Sequence, residues 1–161
     1  MVTRNSVNTN IVATVANERT MPLQPAFLAT ASSQGNVTGD GTYYNVVFTN
    51  ERFDQNNDYD GTSTFTAPVT GRCSFSVICA LGGYDTTQAA FDVSLGTSNR
   101  NYSYTSQCQW NIGAGDNIQG TLSMLADMDA ADTAYCQFAS HGGNKVMGVN
   151  TRSHFSGCLI C

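Results

Sequence analysis

The stretch Asn57-Asp58-Tyr59-Asp60-Gly61-Thr62-Ser63-Thr64-Phe65-Thr66-Ala67-Pro68-Val69-Thr70-Gly71-Arg72-Cys73-Ser74-Phe75 carries turn and strand signals in strict order. Asp60 and Gly61 supply a turn, because an aspartate side chain bonds its own backbone and glycine accepts a positive φ. The run Thr62 to Thr66 is β-branched and aromatic, which suits a pleated, half-buried surface. Pro68 to Gly71 make a second turn. Beyond it Cys73, Phe75 and Val77 alternate with Ser74 and Ser76, so the three apolar residues share one face. The segment predicts two short strands joined by a tight reversal.

Strand candidates of the same kind recur on both sides. Ala26 to Ala31, Tyr43 to Thr49, Thr62 to Ala67, Arg72 to Leu81, Ala89 to Gly96, Asn101 to Trp110, Asn117 to Leu125, Thr133 to Ala139 and Phe155 to Cys161 read as strands. Ser32 to Gly41 and Glu51 to Asp58 read as loops. No long amphipathic helix interrupts the series, so the expected fold is an all-β antiparallel sandwich or jelly roll. A chain of 161 residues makes one domain, able to bury about two-thirds of its unfolded surface. Residues 1 to 24 are polar, with apolar positions at Val7, Ile11, Val12 and Val15. Their spacing suits a helical stripe, but β-branched residues and asparagines weaken a helix, and the segment is expected to be an extended arm. Met21-Pro22-Leu23-Gln24-Pro25 then acts as a hinge, since residues before proline are held extended. The expected division is an arm over 1–24 and a jelly-roll domain over 25–161.

Over residues 25 to 161 the chain resembles the globular head of the C1q and tumour-necrosis-factor superfamily. Pro25-Ala26-Phe27 matches its opening, and Val46-Val47-Phe48-Thr49-Asn50 its Val-Val-Phe-x-Asn element. Tyr59-Asp60, Phe65 to Pro68 and Gly71 to Phe75 match its central motifs. Gly115-Asp116 and Phe155-Ser156-Gly157-Cys158-Leu159 match its last turn and closing strand. Cys73 stands where the family usually has an aromatic residue, and no Gly-X-Y collagen stalk precedes the head. The resemblance implies a C1q/TNF-like jelly roll in which three copies pack around a threefold axis. By that analogy Phe48, Tyr59, Phe65, Phe75 and Phe155 are expected to fill the trimer contact, with Phe53, Trp110 and Phe138 completing a set too large for one small core. The opposing reading places all eight inside the protomer.

Composition narrows the function. Charged residues are 12%, below the usual ~25%. With a net charge of -5, a pI near 4.6 and seven scattered basic residues, no patch exists to neutralise phosphates, so no nucleic-acid partner is expected. No run of about 18 apolar residues is present to span a membrane, and Asn5, Ser6, Asn8, Thr9 and Asn10 break any export signal. The chain is expected to be made in a host cytoplasm. Its six cysteines read first as small core hydrophobes. Zinc at Cys158-x-x-Cys161 lacks a second pair or a suitably spaced histidine. Disulfides formed after release from the cell remain an alternative. Cys73 and Cys79 lie about 20 Å apart along one strand and cannot join each other.

Sites for chemistry are scarce. Asp54, Asn56, Asp58 and Asp60 resemble the start of a calcium loop, and some members of the resembled family bind calcium. Tyr59 and Phe65 fall where an EF-hand needs glycine and glutamate, so a solvated turn is expected and no metal or cofactor is assigned. His141 and His154 have no acid or nucleophile pattern beside them, and Gly82-Gly83 and Gly142-Gly143 read as turns. No catalytic residue is expected, hence no enzyme.

A jelly-roll head with an amino-terminal arm, low charge and no stalk suits a bacteriophage virion protein. The favoured reading is a homotrimeric capsid decoration (cement) protein on the outer capsid, its arm adding a strand to the major capsid protein. The second is a fibre-tip protein binding a host-surface glycan or protein through loops 32–41, 82–88 and 127–132, with Tyr84 beside Asp85 as a sugar contact. A secreted C1q-like ligand, suggested by the sequons at Asn36 and Asn101, is the third.

Overall fold

A computed structural model describes residues 14–15, 18–19, 23–107, 113–115 and 117–161. Every regular element among them is a strand. In chain order these are β1 (Thr14–Val15), β2 (Glu18–Arg19), β3 (Ala26–Thr30), β4 (Gln34–Thr38), β5 (Tyr44–Asn45), β6 (Asn50–Asp54) and β7 (Thr64–Thr66). They continue with β8 (Gly71–Gly82), β9 (Ala90–Thr97), β10 (Asn101–Gln107), β11 (Ile118–Met128), β12 (Thr133–His141), β13 (Met147–Val149) and β14 (His154–Leu159).

Two antiparallel sheets face each other. The five-stranded sheet runs β10-β9-β12-β5, with β7 also on β12. The seven-stranded sheet is organised by β8, twelve residues long, which pairs with β11 on one side. On its other side β8 pairs with β14 and, further along, with β13. β14 then pairs with β3, β3 with β6, and β13 with β4.

The opening segment divides between these layers. Cys73, Phe75 and Val77 point inward as their alternation requires, each 1% exposed. The expected hairpin is absent: β7 pairs with β12 in one sheet and β8 with β11 and β14 in the other. The turn through Pro68 therefore carries the chain across the sandwich. Upstream, Tyr59 and Phe65 form an isolated bridge that closes the preceding loop.

The aromatic residues explain what holds the layers together. The Phe27 ring stacks on Tyr59 at 5.0 Å and on Phe65 at 5.1 Å, and meets Phe155 edge-on at 4.9 Å. Phe75 completes the group against Phe65 and Phe155. Phe27, Phe75 and Phe155 come from the seven-stranded sheet, Phe65 from the five-stranded one. The Tyr59 hydroxyl donates to the Phe48 carbonyl, so this buried ring leaves no donor unpaired. A Cβ on Gly157 would lie 2.5 Å from the Phe75 ring and 2.8 Å from that of Phe27, so glycine here makes room for the cluster.

Other differences from the sequence expectation are local. The expected loop 32–41 contains β4, and the expected loop 51–58 begins with β6, whose Asn50 to Phe53 are all exposed and show no alternation. The expected strand 43–49 reduces to Tyr44–Asn45, although Val46 and Phe48 are fully buried. β13 escaped notice because all three of its residues are buried.

Truncating Phe27 to Ala removes three ring contacts and leaves a cavity, so it is expected to cost about 3–5 kcal/mol, read as a lower denaturation midpoint at unchanged slope. Gly157→Ala is expected to cost about 1–3 kcal/mol by overpacking.

Candidate assembly surface

Where the inward residues of the seven-stranded sheet are aromatic, the outward ones at its middle are uncharged and many are small, with the pair Arg72 and Asp127 at one end of the face. The registers place them in rows across β11, β8, β14, β3 and β6. The middle row is Ser123, Ser76, Ser156, Leu28 and Phe53. One flanking row is Leu125, Ser74, Cys158 and Ala26. The other is Thr121, Ile78, His154, Thr30 and Asn50. None of the fourteen is Asp, Glu, Lys or Arg. With strands about 4.8 Å apart and a rise of about 3.4 Å per residue, the rows cover about 19 Å by 14 Å. Phe53 and Leu125 stand at opposite borders, 50% and 55% exposed. Between them a shallow depression of about 250 Å³ is lined by Ala26, Ser74, Ser76, Ser156, Gly157 and Cys158 beside Phe53.

The five-stranded sheet treats its outer face differently. The Tyr43 hydroxyl donates to Asp92 Oδ2 at 2.7 Å, and His141 Nε2 lies 2.9 Å from the same oxygen. Burial pushes the Asp92 carboxyl up, but hydrogen bonds from Thr105, Tyr43 and His141 outweigh it and hold the group below its ordinary value. Gln137 donates to Asn45 at 2.8 Å, and the Tyr135 ring lies over Gly96, where a Cβ would come within 2.5 Å. This face carries its own polar cover. The cluster was invisible in sequence because 49 residues separate Asp92 from both Tyr43 and His141. Register alone brings them together.

The expected site residues fare unequally. Phe48, Tyr59, Phe65, Phe75 and Phe155, assigned to a contact between subunits, are each 3% exposed or less within one protomer. They cannot reach a neighbour, and that assignment is corrected: alternation aims them inward and stacking fits them between the sheets. Phe138 is also fully buried, Phe53 is exposed, and Trp110 lies outside the described residues. Of the arm positions, Val7, Ile11 and Val12 lie outside the described residues. Val15 belongs to β1, which runs antiparallel to β2, so the chain does not run straight there. Tyr84, the expected sugar contact, is 5% exposed and donates its hydroxyl to the Gln88 carbonyl, which removes it from that role.

The acidic loop is committed to its own backbone. Asp54 accepts from the Asn56 and Tyr59 amides, and Asp60 Oδ1 from the amides of Thr62, Ser63 and Thr64. Burial raises the Asp60 carboxyl, but the backbone bonds from Thr64, Ser63 and Thr62 outweigh it and hold it low. Asp58 moves the other way, pushed up by burial and then by the Asp54 charge. Among the described residues no three His, Cys, Asp or Glu side chains are grouped to hold a metal. Cys73, Cys79 and Cys136 are buried as expected of core thiols, Cys158 is half-buried, and Cys161 is exposed.

No protein-family model and no characterised protein sequence matches the chain. Solved structures do. The globular domain of zebrafish complement 1qA protein is similar at a TM-score of 0.58 and 20% identity, over 85% of this chain and 98% of that one. Vertex protein P5 of PRD1 is similar at a TM-score of 0.60 and 9% identity, over 85% of this chain and 97% of that one. The fold is therefore the C1q/TNF-like jelly roll, as the sequence motifs implied.

The lowered Asp60 carboxyl fixes a pH dependence. Its stabilisation is fully present above the ordinary value of 3.8 and is lost as pH falls through the lower folded value. Asp60→Ala is expected to lower stability at neutral pH and to flatten the fall in melting temperature below about pH 4.

Proposed function

We propose that the protein is a non-enzymatic virion protein that assembles as a homotrimer and decorates the outer capsid surface of a phage. The uncharged middle of the seven-stranded sheet's outer face carries this reading. Cores of protein interfaces are depleted of charge, because apolar atoms and hydroxyls lose less on leaving water than ions do. The opposite face, with its bonded Tyr43-Asp92-His141 cover, needs no partner. The subunit contact thus moves from the buried aromatics to Leu28, Phe53, Ser76, Leu125 and Ser156, whose positions face outward. The likeness to a PRD1 vertex protein supports a place on a virion.

In this reading residues 1–24 are the arm that engages the major capsid protein, and residues 25–161 form the head. The net charge of -5 disfavours a nucleic-acid partner, and the protein is made in the host cytoplasm before joining the virion. Clamping neighbouring capsid subunits requires binding and shape alone, with no reacting group.

Light scattering tests the assembly. The expected mass is about 52 kDa for three chains of 17.2 kDa, and Ser156→Arg, at the centre of the face, is expected to give about 17 kDa without unfolding the protomer. A trimer that survives this charge excludes the face. Deleting residues 1 to 20 is expected to abolish pull-down on undecorated phage capsids while leaving the trimer intact. A trimer that ignores capsids and coats bacterial cells would instead favour host recognition.

A further inference from the structure

Two of the buried thiols belong to opposite sheets. Cys79 lies on β8 and Cys136 on β12, both 0% exposed, and their sulfurs are 3.5 Å apart. Neither faces another thiol as closely among the described residues. Cys73 sits six residues before Cys79 on β8, about 20 Å along the strand, and Cys158 and Cys161 lie on or beyond β14. A disulfide needs sulfurs about 2.05 Å apart, so closure requires an approach of roughly 1.5 Å between the two facing strands.

We infer that Cys79 and Cys136 form a disulfide that fastens the two sheets to each other when the protein meets an oxidising thiol–disulfide pool. The co-reactant is a small disulfide such as oxidised glutathione. One cysteine thiolate attacks a glutathione sulfur, forming a mixed disulfide and expelling a glutathione thiolate. The second cysteine thiolate then attacks the protein sulfur of that mixed disulfide, expelling the other glutathione thiolate. The two protons lost by the cysteines end on two glutathione thiols, and the two electrons reduce the glutathione disulfide.

The closed fold resists this reaction. Burial, then the hydrogen bond with Cys79, raises the Cys136 thiol well above its ordinary value, so little thiolate exists inside the sandwich. The bond therefore forms while the chain folds or when the sheets part. Once made, it closes a loop of 57 residues across the core, which restricts the unfolded chain strongly. This inference is independent of the assembly proposed above, since neither sulfur touches the outer face.

The test refolds fully reduced protein in two ways, with a mixture of reduced and oxidised glutathione and with reductant alone. Mass mapping without reduction is expected to find the Cys79 and Cys136 peptides joined and about 2 Da lighter than the two thiol peptides. The oxidised preparation is expected to melt about 10 °C above the reduced one. The double variant Cys79→Ala, Cys136→Ala is expected to fold and to lose that difference. Free thiols at both positions after oxidative refolding, pairing of either with another cysteine, or a linked protein that melts no higher would each overturn the inference.

Discussion

The Phe27 ring is the contact on which the rest of the sandwich depends. It joins Phe155 of its own sheet to Phe65 of the other, with Tyr59 stacked alongside. Rings in stacked and edge-on contact fill the space between two sheets about 10 Å apart without voids, and interiors are packed to that density. The Gly157 backbone is bare because these rings need the room, and the Tyr59–Phe65 bridge is drawn in because both residues belong to the cluster. Local strand propensity proposes the sheets. The aromatic layer fixes how they face.

That layer also sets the asymmetry between the outer faces. Once Phe75 of β8, Phe155 of β14 and Phe27 of β3 point inward, alternation leaves small residues beside them on the outside: Ser74, Ser76, Ser156 and Ala26. The five-stranded sheet resolves its own exterior with a shared carboxylate and a tyrosine laid over glycine. One face carries its own polar cover and the other, at its middle, does not. The proposed assembly rests on this difference rather than on aromatic content.

Much of this was legible in the chain. Alternation at Cys73, Phe75 and Val77 gave the inward face of β8, and β9, β10 and β12 began where their β-branched and aromatic runs did. What failed had physical causes. β6 is wholly exposed through Phe53 and β13 wholly buried, so neither alternates. The Pro68 turn looks the same in sequence whether it joins partners in one sheet or crosses between two, because pairing is decided by strands far away. The same distance hid Tyr43, Asp92 and His141. The aromatic residues were counted correctly but assigned outward, since composition cannot show that stacked rings share a narrow layer.

The position of β14 has a consequence for synthesis. It lies between β8 and β3, so the seven-stranded sheet stays split until residue 159 has left the ribosome. Until then β3 and β8 present unpaired edges and bare rings, the surfaces through which nascent β-proteins associate wrongly. The six-residue strand β14 acts as a keystone, and the sheet is secure only once that strand is in place.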